Sequence, residues 1–197
     1  DMTRIKDKLD DEEVKVAFAF LLSMPGAPFI YYGDEIGMNY LEGIRSVEGG
    51  YERTGARSPM QWDDSTNAGF SSAKQEELYI MIDPDKNRPT VKKQMADENS
   101  LYHEVKKLIQ VRLAHQALQS NAPVEFLYAE DNAYPLVYKR TGEETIVIAV
   151  NPSGKEVTCE IDAPDGEEVI YSYNGEAQLK NGTLKVPAAS ASFIKVK

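Results

Sequence analysis

The stretch "SMPGAPFIYYGDEIGM", residues 23–38, contains the clearest structural signal in the chain. Its centre, "PFIYYG", is a short apolar run enclosed by Pro28 and Gly33, which is the pattern of an interior parallel strand. Asp34 and Glu35 follow at the carboxyl end of this predicted strand, where α/β folds place their functional groups. The two carboxylates are therefore candidate site residues; the alternative is that they form ion pairs that hold the next loop.

A helix is predicted immediately before this strand. Asp10 can cap it, Glu13 completes a capping box three residues later, and acidic residues crowd the first turn, as the helix dipole favours. The run "VKVAFAFLLSM" is apolar on nearly all sides, which predicts a buried helix, and Pro25 and Gly26 end it. A buried helix that leads into a buried strand is the αβ step of a layered or barrel fold.

Residues 39–99 show no clear period, because Gly, Pro, Asn, Asp and Ser interrupt them throughout. An irregular segment of this length in a compact domain is generally either disordered or functional. Its aromatic residues argue against disorder, since disordered segments contain few of them. These residues are Tyr40, Tyr51, Trp62, Phe70 and Tyr79. We therefore expect an ordered functional loop with short helical turns.

Regular structure returns near residue 100 and changes type near residue 120. Asp97 or Ser100 can cap a helix over "LYHEVKKLIQVRLAHQAL", whose apolar residues recur at helical spacing. After Ser120, seven strand-like runs alternate with turns: "VEFLYA", "PLVYKR", "TIVIAVN", "EVTCEI", "EVIYSY", "TLKV" and "ASFIKV". Short strands at this spacing predict a small antiparallel β-sandwich.

Composition limits the partners and cofactors. The formal net charge of −10 argues against a nucleic-acid or anionic-membrane partner, since phosphates would be repelled, and no apolar run is long enough to span a membrane. The single cysteine, Cys159, is expected as a buried strand thiol and leaves a mild preference for the cytoplasm, with secretion still open. His103 and His115 lack metal-ligand spacing, so we expect no metal and no cofactor.

Two motifs resemble segments of the α-amylase superfamily, glycoside hydrolase family 13. "SMPGAPFIYYGDEIGM" is similar to the region of the eighth barrel strand, and "GARSPMQWDDSTNAGFS" to the Arg-Thr-Pro-Met-Gln-Trp segment of the α-glucosidase and trehalose synthase branch. "DMTRI" fits the end of the Asn-His-Asp triplet that follows the seventh strand, and "LIQVRLAHQALQ" the last barrel helix. The resemblance implies the last part of a (β/α)8 TIM barrel over residues 1–119 and a C-terminal β-sandwich over residues 120–197.

The resemblance also implies roles for particular residues. Arg57 matches the arginine that grips hydroxyls of the terminal glucose, and Asp1 the carboxylate that supports the oxocarbenium-like transition state. Arg4 is expected to anchor a loop, Glu35 to be a structural carboxylate, and Trp62 to wedge the loop of Arg57 into the core. The alternative is that Arg57 only forms an ion pair with a nearby acidic residue: Glu52, Asp63 or Asp64.

The implied activity is that of a retaining α-glucosidase acting on maltose-like α-glucan oligosaccharides. The first alternative is a glucosyl isomerase of the trehalose synthase type, and the second is a non-catalytic carbohydrate-binding or structural β-sandwich module. The short segment "NYLEGIRSVEGGYERTGA" favours α-1,4 substrates or isomerases over α-1,6 substrates.

The sequence also predicts what this chain lacks. The family's nucleophile and general acid follow the fourth and fifth strands, which have no counterpart here, and the chain opens with Asp1 rather than Met, as expected at a boundary. We expect the chain alone to have no glycosidase activity. We also expect self-association through the exposed edges of a partial barrel.

Overall fold

The computed structural model describes residues 3–44 and 52–197. Two compact units contain these residues. One holds the described residues up to Val14 and those from Ile30 to Glu104, and the other holds Lys15–Phe29 and Val105–Lys197. The division of the chain into a barrel part, 1–119, and a sandwich, 120–197, stays a proposal.

Helix α1, Asp11–Ser23, begins at the predicted capping box. The Asp10 side chain accepts hydrogen bonds from the backbone N–H groups of Glu12 and Glu13 at 3.0 and 2.9 Å. The Glu13 carboxylate in turn accepts a bond from the Asp10 backbone N–H at 2.9 Å. The Asp10 side chain thereby satisfies two backbone donors of the first turn that have no partner within the helix. The Glu13 side chain satisfies the Asp10 backbone N–H.

The segment after α1 departs from the prediction of a buried parallel strand. Residues 27–31 take part in no strand pairing with the part of the chain that the structure describes. Phe29 is 91% exposed, and Tyr31 and Tyr32 are 45% and 39% exposed. A parallel strand is buried only where neighbouring strands pair with its edges and helices cover its faces. The described residues supply no such neighbours, so the prediction is wrong for this chain.

The irregular region between residues 39 and 99 contains short helical turns, as predicted. The 3-10 turns in this region span Glu52–Arg57, Thr66–Gly69 and Gln75–Glu77. Helix α2 spans Val91–Ala96, and its N-cap Thr90 accepts a bond from the Lys93 backbone N–H at 3.2 Å. The predictions that fell on residues 45–51 lie outside the described residues. Ile80 and Ile82 in this region are buried.

Helix α3 spans Leu101–Ala114 and begins after Ser100, one of the two predicted caps. The Ser100 hydroxyl accepts a bond from the His103 backbone N–H at 3.3 Å. The His103 ring lies 2.9 Å from the Asp97 carbonyl oxygen through Nδ1. The ring of His103 therefore makes its hydrogen bonds at the start of the helix, to Ser100 and Asp97.

Eight antiparallel strands follow, of which seven were predicted. Their bounds are β1 Val124–Tyr128, β2 Leu136–Thr141, β3 Thr145–Asn151, β4 Val157–Glu160, β5 Gly166–Tyr173, β6 Gln178–Lys180, β7 Thr183–Val186 and β8 Ser190–Val196. One sheet has the order β1-β2-β3-β8-β5 and the other β4-β7-β6. The missed strand, β6, has only three residues and a single buried side chain, so its sequence carries almost no alternation.

Both sheets contribute to one hydrophobic cluster. Val147 and Ile194 enter it from the larger sheet, and Cys159 and Leu184 from the smaller one. Cys159 is buried, as expected, and burial raises the pKa of its thiol to about 11. The opposite face of the larger sheet is buried as well, where Tyr138 bonds to the Ser23 hydroxyl at 2.6 Å.

Two buried arginines hold the end of α1 within its unit. Arg112 donates to the carbonyl oxygens of Leu22 and Met24 at 2.7 and 2.9 Å. Arg140 is fully buried and donates to the carbonyl oxygen of Ser23. Burial lowers the pKa of both guanidinium groups. The carbonyls at a helix end lack intrahelical partners, so these side chains replace the water that would otherwise solvate them.

Replacing Arg140 with Met should destabilise the chain strongly. Arg140 also donates to the carbonyl oxygens of Gln119 and Ala122 at 2.6 and 3.0 Å, so the substitution leaves several buried acceptors unpaired. We expect a loss of about 3 kcal/mol in the free energy of unfolding, measured by urea denaturation.

Lys139→Met is the matched control on the same strand. Lys139 forms a surface ion pair with Glu125 at 3.0 Å, so its loss should change the free energy of unfolding by less than about 1 kcal/mol. Equal losses of unfolding free energy in the two variants would show that the hydrogen bonds of Arg140 to buried carbonyl oxygens do not stabilise the chain.

Candidate functional site

Arg4 lies at the base of the candidate site. Its side chain is fully buried, and Nη1 donates to the Tyr32 carbonyl oxygen at 2.8 Å and to the Asp34 carboxylate at 2.9 Å. The guanidinium carbon lies 5.3 and 5.2 Å from the ring centroids of Tyr31 and Tyr32. A cation at this distance is attracted to an aromatic face. Arg4 therefore fixes the turn that ends the "PFIYYG" segment.

Gly33 lets this turn approach Arg4 closely. Its φ is +88°, a left-handed conformation that L residues with a Cβ rarely adopt. A Cβ at this position would overlap Met38 Sδ and lie 3.1 Å from Arg4 Nη1. Burial raises the pKa of the adjacent Asp34 carboxyl, and its hydrogen bond and charge interaction with Arg4 counteract part of that rise.

Arg57 ends the 3-10 turn Glu52–Arg57. Its own side chain is exposed, whereas Ala56, Ser58 and Pro59 on either side are buried. The Tyr32 hydroxyl donates to the Ser58 carbonyl oxygen at 2.9 Å. The backbone on both sides of Arg57 is thereby packed in place while its own side chain is exposed at the wall of the site, an arrangement that suits a ligand-binding side chain.

Arg57 lines two cavities. The arginine cavity, of about 330 Å³, is formed by Thr3, Arg4, Tyr31, Asp34, Arg53, Ala56 and Arg57. The aromatic cavity, of about 410 Å³, is formed by Tyr32, Glu35, Arg57, Pro59, Met60, Trp62, Phe70, Leu78, Tyr79 and Ile80. Both volumes fall in the range of small-molecule pockets, from about 300 to 1,000 Å³. The one cation that they share therefore faces two places where a ligand fits.

Trp62 does not wedge its loop into the core. Half of its side chain is exposed, and it lines the aromatic cavity. The preceding residue, Gln61, is the buried one, and its side chain donates to the Pro89 carbonyl oxygen at 2.5 Å. The Trp62 backbone N–H donates to Ala68 at 2.8 Å, and its carbonyl oxygen accepts from Lys92 at 3.0 Å. The backbone is anchored, so the ring is free to face outward.

The remaining predicted residues divide into two groups. Asp1 lies outside the described residues. Glu35 lines the aromatic cavity, and its Oε2 atom is buried without a hydrogen-bond partner among the residues that the structure describes. Sequence reasoning missed Tyr32 and Arg53 as cavity residues. The pair of aromatic residues before Gly33 could have indicated Tyr32 as a cavity residue. No sequence signal indicates Arg53, which lines the cavity with Arg57 because both belong to the turn Glu52–Arg57.

Two classes of site find no support in the described part of the chain. No group of three or more His, Cys, Asp or Glu side chains there is placed to hold a metal ion. No helix in residues 3–44 and 52–197 is long and apolar enough to cross a membrane.

Known proteins share sequence and fold with this chain. A family profile described as "Alpha amylase, catalytic domain" matches residues 1–121. An oligo-1,6-glucosidase of Parageobacillus thermoglucosidasius is 34% identical over 173 residues, which cover 73% of this chain and 30% of that protein. A trehalose synthase/amylase TreS of Mycolicibacterium smegmatis is 35% identical over 112 residues, which cover 55% of this chain and 18% of that protein.

Solved structures show the same relation. The trehalulose synthase MutB from Pseudomonas mesoacidophila MX-45 superposes with a TM-score of 0.78 and 22% identity, over 95% of this chain and 38% of that one. At this identity the likeness concerns the fold. The chain spans about a third of the length of the oligo-1,6-glucosidase and of MutB.

Replacing Gly33 with Ala should disturb the Arg4 contacts. The left-handed φ alone costs about 1 kcal/mol for Ala, and the overlap with Met38 adds about 2 kcal/mol. We expect the free energy of unfolding to fall by the sum of the two, measured by urea denaturation.

Gly26→Ala separates these two costs. Gly26 has the same φ of +88°, but a Cβ there would meet nothing within 4 Å. The free energy of unfolding of Gly26→Ala should therefore fall only by the cost of the left-handed φ, about 1 kcal/mol. Equal losses at the two glycines would show that close packing on Arg4 and Met38 contributes nothing.

Proposed function

This chain belongs to the α-amylase family of glycoside hydrolases, and from that membership we propose that it forms part of the catalytic unit of a retaining α-glucosidase. The substrate is an α-linked gluco-oligosaccharide, from which the enzyme hydrolyses the terminal glucose. The observation that carries the proposal is the placement of Arg57: an exposed guanidinium between buried backbone neighbours, at the wall of two ligand-sized cavities.

The guanidinium of Arg57 suits vicinal hydroxyls. Its planar fork presents parallel N–H donors, which a single ammonium group cannot do. Arg57 thus holds the terminal glucose in one orientation, and a fixed orientation lowers the entropic part of the barrier to reaction. Arg4 supports it through Tyr32, whose hydroxyl bonds to the carbonyl oxygen of Ser58 beside Arg57.

In this proposal Asp1 supplies the carboxylate that supports the transition state. A carboxylate bound to the 2-hydroxyl strengthens its bond as positive charge develops on the sugar ring, and so favours the transition state. A retaining mechanism also needs a nucleophile and a general acid about 5–5.5 Å apart. In our proposal a preceding part of the same enzyme provides both groups.

Residues 1–119 form the last part of the (β/α)8 barrel in this proposal, and residues 120–197 form a β-sandwich domain. The two sheets with one shared hydrophobic cluster support the second assignment. The exposure of Phe29 supports both a partial barrel and self-association through the unpaired segment at residues 27–31.

A glucosyl isomerase of the trehalose synthase type is the second candidate. The TreS relative, which matches residues of this chain at 35% identity, favours it. The linkage of the substrate is open between α-1,4 and α-1,6: the short segment after Met38 favours the first, and the name of the Parageobacillus relative favours the second. Product analysis of the intact enzyme on maltose separates hydrolysis from isomerisation.

Replacing Arg57 with Ala in the intact enzyme should reduce kcat/KM on maltose or isomaltose by about 10- to 100-fold. This is the loss expected for one charge-assisted hydrogen bond to the sugar. Arg57→Lys should recover only part of the loss, because a point charge cannot hold two hydroxyls at once.

Lys74→Ala is the control, since Lys74 is an exposed cation of the same unit outside both cavities. It should leave kcat/KM within about twofold of the unchanged enzyme. The proposal is wrong if Arg57→Ala behaves like this control.

The 197-residue chain alone should release no glucose from maltose, isomaltose or a nitrophenyl α-glucoside. Without a nucleophile and a general acid at the required spacing, the covalent intermediate cannot form. Turnover that survives in an Arg57→Ala variant of the chain would overturn the assignment of the site.

A further inference from the structure

The smaller sheet of the sandwich carries an exposed Asn-Gly turn. Asn181 and Gly182 join β6 to β7, where Lys180 pairs with Thr183. The two φ angles are +50° and +78°, the left-handed values of a tight two-residue hairpin turn. Asn181 is exposed, and its side chain makes no hydrogen bond with the part of the chain that the structure describes. Its amide is therefore accessible and not held in one orientation.

The only other Asn-Gly pair of the chain, Asn174–Gly175, provides an internal comparison. Asn174 is exposed as well, and both of its turn residues also have left-handed φ, +53° and +106°. The Asn174 side chain, however, donates to the carbonyl oxygens of Ala188 and Ala189 at 3.1 and 3.3 Å. A Cβ on Gly175 would lie 3.1 Å from Pro187, so this turn is packed against the chain. The two pairs thus differ in how firmly the amide is held.

An Asn-Gly pair permits a reaction that needs no reagent other than water. The backbone nitrogen of Gly182 attacks Cγ of Asn181, and the absence of a Cβ on the glycine leaves that nitrogen accessible. The new N–Cγ bond closes a five-membered imide while the Cγ–Nδ2 bond breaks. Ammonia leaves and takes with it the proton of the Gly182 nitrogen. Water then opens the ring at either carbonyl, which gives aspartate or isoaspartate.

We propose that Asn181 is a site of spontaneous deamidation in the folded chain, whereas Asn174 reacts only when the fold is lost. The hairpin must open locally before the Gly182 nitrogen can reach Asn181 Cγ. Strand β6 has three residues and lies at the edge of its sheet, where such opening costs little free energy. Asn174 must break its two side-chain hydrogen bonds as well. The inference is independent of the proposed function.

Deamidation places a new negative charge beside two existing ones. The Asn181 backbone N–H donates to Asp165 Oδ1 at 2.6 Å, and Glu160 Oε2 lies 3.9 Å from the position of a Cβ on Gly182. Like charges this close destabilise the hairpin, and isoaspartate also lengthens its main chain. Leu179 and Leu184 of the same hairpin belong to the hydrophobic cluster of the sandwich, so the damage reaches the core. The modified chain should therefore unfold at a lower urea concentration.

Peptide mass spectrometry after incubation of the chain in mildly alkaline buffer tests the proposal. Tryptic cleavage after Lys180 separates Asn181 from Asn174, so the exchange of NH2 for OH is followed at each residue in the same sample. In the folded chain, Asn174 should react about tenfold to hundredfold more slowly than Asn181, because two hydrogen bonds must break first. In guanidinium chloride, where the fold is lost, the two residues should react at similar rates.

Two variants provide the controls. Asn181→Gln should prevent formation of the more acidic form of the folded chain, because glutamine closes a larger ring far more slowly. Asn174→Gln should leave that formation unchanged, and circular dichroism confirms that both variants fold. The proposal is wrong if Asn181 keeps its amide in the folded chain for as long as Asn174 does. A slower reaction of Asn174 in guanidinium chloride would show that its hydrogen bonds in the fold are not what protects it.

Discussion

One buried cation holds the candidate site together. Arg4 donates to the Tyr32 carbonyl oxygen and to the Asp34 carboxylate, 28 and 30 residues further along the chain. Tyr32 then bonds through its hydroxyl to the Ser58 carbonyl oxygen, beside Arg57. Tyr32 thus links the buried arginine to the backbone beside the exposed one. Because breaking a buried ion pair leaves an uncompensated charge, such a link is held firmly.

The buried and the exposed arginines of this chain have different roles. Arg112 and Arg140 are buried and donate to carbonyl oxygens at the end of α1, where the helix has acceptors without partners. Arg57 has buried neighbours but an exposed guanidinium of its own. The forked group satisfies several oxygens at once in both settings: backbone carbonyls in one, and hydroxyls of a ligand in the proposal for the other.

Local signals predicted the parts of the fold that depend on local interactions. The capping box at Asp10 and the cap at Ser100 located two helices, and short strand-like runs separated by turn residues located seven of the eight strands. The prediction of a parallel strand at residues 28–32 was wrong. An apolar run becomes a buried strand only where other strands pair with it, and the run itself does not show whether they do. Trp62 was misplaced for a related reason: a large apolar ring suits a core and a ligand cavity equally well, and only the fold decides between them.

Phe29 and Trp62 are both exposed aromatic residues, but the backbone segments that carry them differ. Phe29 lies in the segment at residues 27–31, which pairs with no strand among the described residues, and it is 91% exposed. Trp62 lies on a backbone whose N–H and carbonyl groups are both bonded, beside the fully buried Gln61. The exposed ring of Trp62 is therefore attached to a backbone whose hydrogen bonds are satisfied. Exposure on an anchored backbone, next to an unpaired acceptor, is what a preformed binding surface requires.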